Sequence, residues 1–210
     1  LAALKHILSD KFDYEGDFGA DGTLQNADII QVINRARGGD VALGILYISA
    51  ARSQGWRIEG LNTPGCFLCR IEKEGQRIIF DPARRAKVLA APDLRRVIKE
   101  YLGPQAELSN AYFEDISNRD ILIRLENPVK YSLIDNEDYS EALKRIERMR
   151  FFAPDEYRLL LDAGVLYAKV DKPMAAIRAL EGYIEKTPNL QDRYEAGLIL
   201  DHIREQMHDP

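Results

Sequence analysis

The sequence predicts two parts of different class: an α+β domain over residues 1–105, with helices and a small antiparallel sheet, and an all-α domain over residues 106–210. Three observations carry this expectation. Residues 41–51 are apolar nearly all round, three short strand-like runs follow between Trp56 and Phe80, and beyond Gly103 and Pro104 the pattern is wholly helical.

The break at Arg37, Gly38 and Gly39 is followed by Asp40, directly before the apolar stretch, so Asp40 reads as a helix N-cap. Its carboxylate would accept free N–H groups at the positive end of the helix dipole, worth about 1 kcal/mol. Gly55 supplies the C-terminal stop. Because Val41, Leu43, Ile45, Leu46, Tyr47, Ile48, Ala50 and Ala51 leave no polar face, this should be the central buried helix. Strands are expected at residues 56–61, 66–72 and 76–80, the last two joined by a turn at Glu74 and Gly75. Asp81 and Pro82 end the third strand, and residues 92–102 form a further helix with Asp93 in its first turn.

In the second part, Ala142 matches Ala176 and Pro154 matches Pro188, a period of about 34 residues, which is that of tetratricopeptide repeats. The second unit places Gly164, Tyr167, Ala176, Leu180, Tyr183 and Pro188 where that repeat needs small, aromatic and helix-ending residues. The first has Leu133, Ala142, Ile146, Met149 and Pro154, but Lys130 where the small residue would stand. Two repeats and a last helix over residues 190–206 are too few to bury their own apolar faces, so they should dock on the N-terminal domain through residues 108–130.

With 46% hydrophobic and 30% charged residues the chain has the balance of a folded globular protein, and a net charge of -5 argues against a general grip on nucleic acid. No apolar run approaches the roughly 20 residues that span a bilayer. The opening at Leu1, without a charged leader, reads as a trimmed sequence, and two cysteines close together in sequence make no disulfide framework. A cytoplasmic location is expected.

Several blocks in order, RGGDVALGILYISAARSQGW, IEGLNTPGCFLCRI, IIFDP, LGPQAELS and NRDILIRLENPVK, resemble the bacterial SirB invasion-regulator family. That resemblance implies a papain/transglutaminase-like domain joined to tetratricopeptide helices. It also implies a catalytic arrangement, in the wider superfamily, of Cys at the helix start, His on one strand and Asp on the next. Those positions hold Asp40, Cys66 and Asp81 here, and where relatives commonly read PGHF this chain reads PGCF. The resemblance leaves only the aspartate.

A cysteine nucleophile works as the thiolate, stabilised by a neighbouring His, a cation or a helix N-terminus. His6, His202 and His208 all lie outside the segment that would build the site, and Asp40 and Asp81 would raise a thiol pKa. Cys66 therefore reads as a packed small apolar side chain. The alternative is a cysteine-dependent transglutaminase-like or hydrolytic enzyme that uses Cys66, with Asp40 or Asp81 as an orienting group. Cys66 and Cys69, three apart on one strand, would point to opposite faces, so no metal site is expected, and no cofactor.

Arg84, Arg85, Lys87, Arg95, Arg96 and Lys99 cluster after the third strand, with Arg35 and Arg37 near the helix entrance. They could hold a phosphate or an acidic peptide, although a charge run is usually a solvated face; nucleic-acid recognition is not expected without interleaved aromatics. Tyr131, Tyr139, Tyr157, Tyr167 and Tyr183 could line a peptide-binding concavity, though at helical spacing most belong to the core. The function expected from the whole is a non-catalytic adaptor or regulatory protein that binds a protein or peptide partner, not a membrane.

Overall fold

The computed structural model describes residues 1–19 and 23–208, the last without its side chain. In chain order the elements are α1 (Ala2–Lys5), continued by π-helical turns over His6–Lys11, then β1 (Glu15–Gly16), α2 (Thr23–Ala27), α3 (Ile29–Arg35), β2 (Arg37–Gly38) and α4 (Asp40–Ser53). There follow β3 (Arg57–Leu61), β4 (Cys69–Lys73), β5 (Gln76–Asp81), β6 (Lys87–Val88), α5 (Ala91–Leu102) and β7 (Asp115–Ile116). The chain ends in α6 (Asn118–Asp135), α7 (Tyr139–Phe152), α8 (Arg158–Lys169), α9 (Pro173–Lys186) and α10 (Leu190–His208). This is the expected mixture of helices with a small antiparallel sheet, followed by helices alone. Among the described residues no helix is long and apolar enough to cross a membrane.

The chain divides into two compact units, Leu1–Leu125 and Glu126–Pro210. The division falls later than the expected one between residues 105 and 106, because Gly103 and Pro104 end a helix and not a domain. Beyond them the chain returns to the sheet: β7 pairs antiparallel with β3, matching Gly60 to Ile116 and Leu61 to Asp115. Arg70 donates to the Phe113 carbonyl at 3.0 Å, and Ile121 is buried in the core of the first unit.

In the first unit the sheet runs β6-β5-β4-β3-β7, antiparallel throughout. Glu74 and Gly75 both have positive φ, 51° and 80°, which is the turn geometry whose twist suits a tight hairpin between β4 and β5. Against the sheet lies α4, which buries Ala42, Leu43, Gly44, Tyr47, Ile48 and Ala51, as its lack of a polar face requires. Tyr47 meets Phe80 edge to face with centroids 5.4 Å apart, and its hydroxyl shares a 2.6 Å hydrogen bond with Ser9.

Phe67 locks the helix to the sheet. Its ring threads between two positions without a Cβ: one added at Gly44 would stand 2.3 Å from Phe67 Cε1, and one at Gly60 would stand 2.6 Å from Cζ. Two details depart from expectation here. The N-cap of α4 is Gly39, and Asp40 is the first helical residue. Cys66 precedes its strand instead of lying on it, since Gly65, at φ +79°, turns the chain before β4 begins at Cys69.

The second unit carries the repeat. Ala142 on α7 and Ala176 on α9 are both fully buried. Gly164 lets α8 approach α9 so closely that a Cβ there would lie 2.7 Å from Leu180 Cγ. Lys130 on α6, in the small-residue position of the first repeat, is 3% exposed and bonds Asp162 on α8 at 2.6 Å.

Candidate functional site

The N-terminus of α4, the loop before β4 and the end of β5 meet around a cavity of about 430 Å³, lined by Asp40, Gly65, Cys66, Asp81, Arg84 and Tyr101 among others. The three residues expected to form the site thus share one cleft.

Asp40 does not act as a cap on its own helix turn in the expected way. One carboxylate oxygen accepts the Val41 N–H at 2.7 Å, and the other reaches across to the Phe67 N–H at 2.6 Å. It ties the loop that carries Cys66 to the helix start. Burial pushes its pKa above the ordinary carboxylate value, against the pull of the two N–H donors and of Arg124.

Asp81, 9% exposed, closes the turn after β5 by accepting from the Ala83 and Arg84 N–H groups at 2.9 and 3.2 Å. Arg84 Nε stands 3.3 Å from its other oxygen. Burial again raises its pKa most, and Asp40 adds to the rise.

Between these carboxylates Cys66 is half-buried, and its thiol is pushed up to about 12, first by burial and then by Asp81 and Asp40. Arg84 and Arg124 pull the other way without overcoming them. At neutral pH such a group is a thiol, not a thiolate. Cys69 is fully buried on β4, its thiol also raised by burial, and it packs with Tyr47 and Ile71 while Cys66 packs with Leu61, Leu68 and Leu94. Among the described residues no group of three or more His, Cys, Asp or Glu could hold a metal ion, and no histidine lines the cavity. His6 is exposed, His202 is exposed beside Gln206, and the side chain of His208 lies outside the described residues.

Arg124 and Tyr101 went unremarked in the sequence. Arg124, on α6, donates to the Thr63 carbonyl at 3.1 Å and to Asn62 Oδ1 at 2.5 Å. Burial lowers its pKa while Asp40 opposes the fall, so it supplies the cleft with a cation from a distant part of the chain. It lies in the block NRDILIRLENPVK, which is the only signal that could have found it. Tyr101, on α5, packs on Gly65 so tightly that a Cβ there would lie 2.4 Å from its Cγ.

The expected basic cluster is largely paired. Arg85 bonds Asp13 and the Ser9 carbonyl, both at 2.7 Å, and Arg37 shares Asp13, so these two do come together as the sequence suggested. Arg35 is held by Asp17 at 2.8 Å. Lys87 and Arg96 share Asp93, while Arg95 is exposed.

A model of the transglutaminase-like superfamily matches residues 1–127, over half of the chain. The chain belongs to this superfamily. A tetratricopeptide-repeat model matches residues 129–208, and such repeats in general mediate protein–protein interactions. Relatives include a UPF0162 protein of Xylella fastidiosa, 24% identical over 97% of this chain and 72% of its own length, and one of Vibrio cholerae, 26% identical over 89% and 69%. Protein SirB1 of Salmonella typhimurium is 24% identical over 75% of this chain and 59% of its own. The SirB resemblance therefore holds. No solved structure matches the chain.

Proposed function

We propose that this member of the superfamily is a non-catalytic adaptor or regulatory protein of the bacterial cytoplasm, which keeps the transglutaminase-like frame and binds a protein or peptide partner through its tetratricopeptide helices. In this reading Asp40, Cys66 and Asp81 are the remains of a catalytic triad. One observation carries it. The residue at the helix start spends both carboxylate oxygens on backbone N–H groups, one of them across the cleft on Phe67, and so serves as a structural tie. The neighbouring sulfur offers no substitute, since a thiol held at about 12 has almost no nucleophilic form at neutral pH.

Repeats of paired helices present an extended surface on which a peptide segment can lie. The test has two arms. Purified chain is incubated with an activated acyl ester and examined as intact protein by mass spectrometry; no adduct on Cys66 is expected, and a stoichiometric adduct at neutral pH overturns the non-catalytic reading. In parallel, tagged chain is used to capture partners from bacterial lysate beside a Tyr194→Glu, Leu198→Glu variant, both positions being exposed on α10. A partner kept by the native chain and lost by the variant supports the adaptor reading. Identical captures count against the helical unit as the binding surface.

A further inference from the structure

Helix α5 sorts its side chains by direction. At about 100° per residue, Leu94 and Ile98 turn into the core, where Leu94 packs with Leu61, Leu68 and Leu89. Val97, Glu100 and Tyr101 line the cleft. The remaining arc carries Arg95, Arg96 and Lys99, all exposed.

Lys87, from β6, joins them. Its Nζ lies 3.7 Å from Asp93 Oδ1, and Arg96 reaches the same oxygen at 3.2 Å, while Asp93 Oδ2 accepts the Ala90 N–H. One carboxylate thus serves two cations and a helix start. Arg95 and Lys99, one turn apart, have no ion-pair partner among the described residues. Like charges at this spacing repel and weaken a helix. On α7 the same spacing recurs at Lys144 and Arg148, but there Lys144 has Glu141 at 2.5 Å, one turn away.

We propose that the outer face of α5, with Lys87, binds an acidic peptide segment of a protein partner. Charge complementarity names the chemistry, since four cations, two of them paired with Asp93, outnumber the carboxylates Asp93 and Glu100 on a chain whose net charge is -5. Guanidinium groups suit carboxylates because their planar donors can engage both oxygens. A lipid surface fits less well: Leu94 and Ile98 are spent in the core, and the apolar side chains that α5 exposes, Tyr101 and Leu102, lie in its last turn, past the cations. Nucleic acid fits less well too, since no aromatic stands between the cations on this arc to stack on a base. The site belongs to the first unit and is independent of the helical surface proposed above.

The experiment is fluorescence anisotropy of the whole chain with a labelled peptide of alternating Glu and Ser, beside its Gln counterpart, a single-stranded RNA oligonucleotide and vesicles containing phosphatidylglycerol. The expected result is saturable binding of the Glu peptide alone, weakening as salt is raised. Arg95→Glu with Lys99→Glu should weaken it by about tenfold or more. Arg95→Gln with Lys99→Gln should weaken it less and leave thermal stability unchanged or higher, since a repulsion is removed. Lys73→Glu with Lys172→Glu, equal in charge change but elsewhere, should leave binding within about twofold. The proposal is overturned if the Glu peptide does not bind, if RNA or vesicles bind more tightly, or if the control pair weakens binding as much as the α5 pair.

Discussion

Gly44→Ala sets two physical effects against each other. Gly44 lies mid-helix in α4, where replacing Gly with Ala ordinarily stabilises by about 1 kcal/mol. The added methyl would, however, stand 2.3 Å from Phe67 Cε1 and 2.5 Å from Cδ1. The ring cannot retreat, because on its far side it already closes on Gly60, where Cζ lies 2.6 Å from where a Cβ would be. Phe67 is 1% exposed, and its own N–H is fixed to Asp40 at 2.6 Å. Overpacking of this kind costs up to about 3 kcal/mol, so the net expectation is a loss of about 2 kcal/mol. With a urea dependence of about 2 kcal/mol per molar, the unfolding midpoint should fall by about 1 M. The assay is Trp56 fluorescence, since the single tryptophan sits beside β3 in the first unit and reports on that unit. A cycle with Phe67→Ala completes the test: once the ring is gone, Gly44→Ala should turn stabilising by about 0.5–1 kcal/mol. If Gly44→Ala raises the midpoint in the native background, or if its cost survives in the Phe67→Ala background, the ring is not what the glycine accommodates.

Alkylation of Cys66 by iodoacetamide, measured in a Cys69→Ser background, should show no titration midpoint below about pH 9, and one below roughly 7.5 would restore a catalytic thiolate. Asp81 has its pKa raised in the folded state, so its favourable contribution is complete below its ordinary value of 3.8 and is lost as pH rises through the folded value. Urea melts should therefore favour native chain over Asp81→Asn more at about pH 4 than at about pH 7, and the opposite trend would contradict the burial assigned to this carboxyl. Asp162→Ala should destabilise the helical unit by about 2 kcal/mol by leaving Lys130 buried without its partner, the partial exposure of Asp162 moderating a larger cost. Adding Lys130→Met should recover most of that loss in circular-dichroism melts; if it does not, the pair is not the source.

The sequence showed what local pattern controls. An apolar helix with a glycine stop, a Glu74–Gly75 hairpin and the spacing of Ala142 to Ala176 are each written in neighbouring residues, and the structure has all three. Long-range bonds were less legible. That Asp40 would divide its carboxylate between the Val41 and Phe67 N–H groups depends on a loop far along the chain. Arg124 could not be assigned to the cleft for the same reason, since its partners Asn62 and Thr63 come from another element. The apolar run from Cys66 to Cys69 reads as strand, but the chain turns at Gly65 and β4 begins only at Cys69. The boundary after Leu125 was hidden by β7, whose two residues are too few to show a strand pattern.

Lys130 gives the two helix pairs an order. A small residue, such as Gly164 in the second repeat, accepts any neighbour that can pack closely, so a helix bearing it would fit at many places in a stack. A buried ammonium accepts only a neighbour that offers a carboxylate at the right height, which Asp162 does. The first pair therefore has a specific successor within the chain. A buried charge with one partner acts as an address.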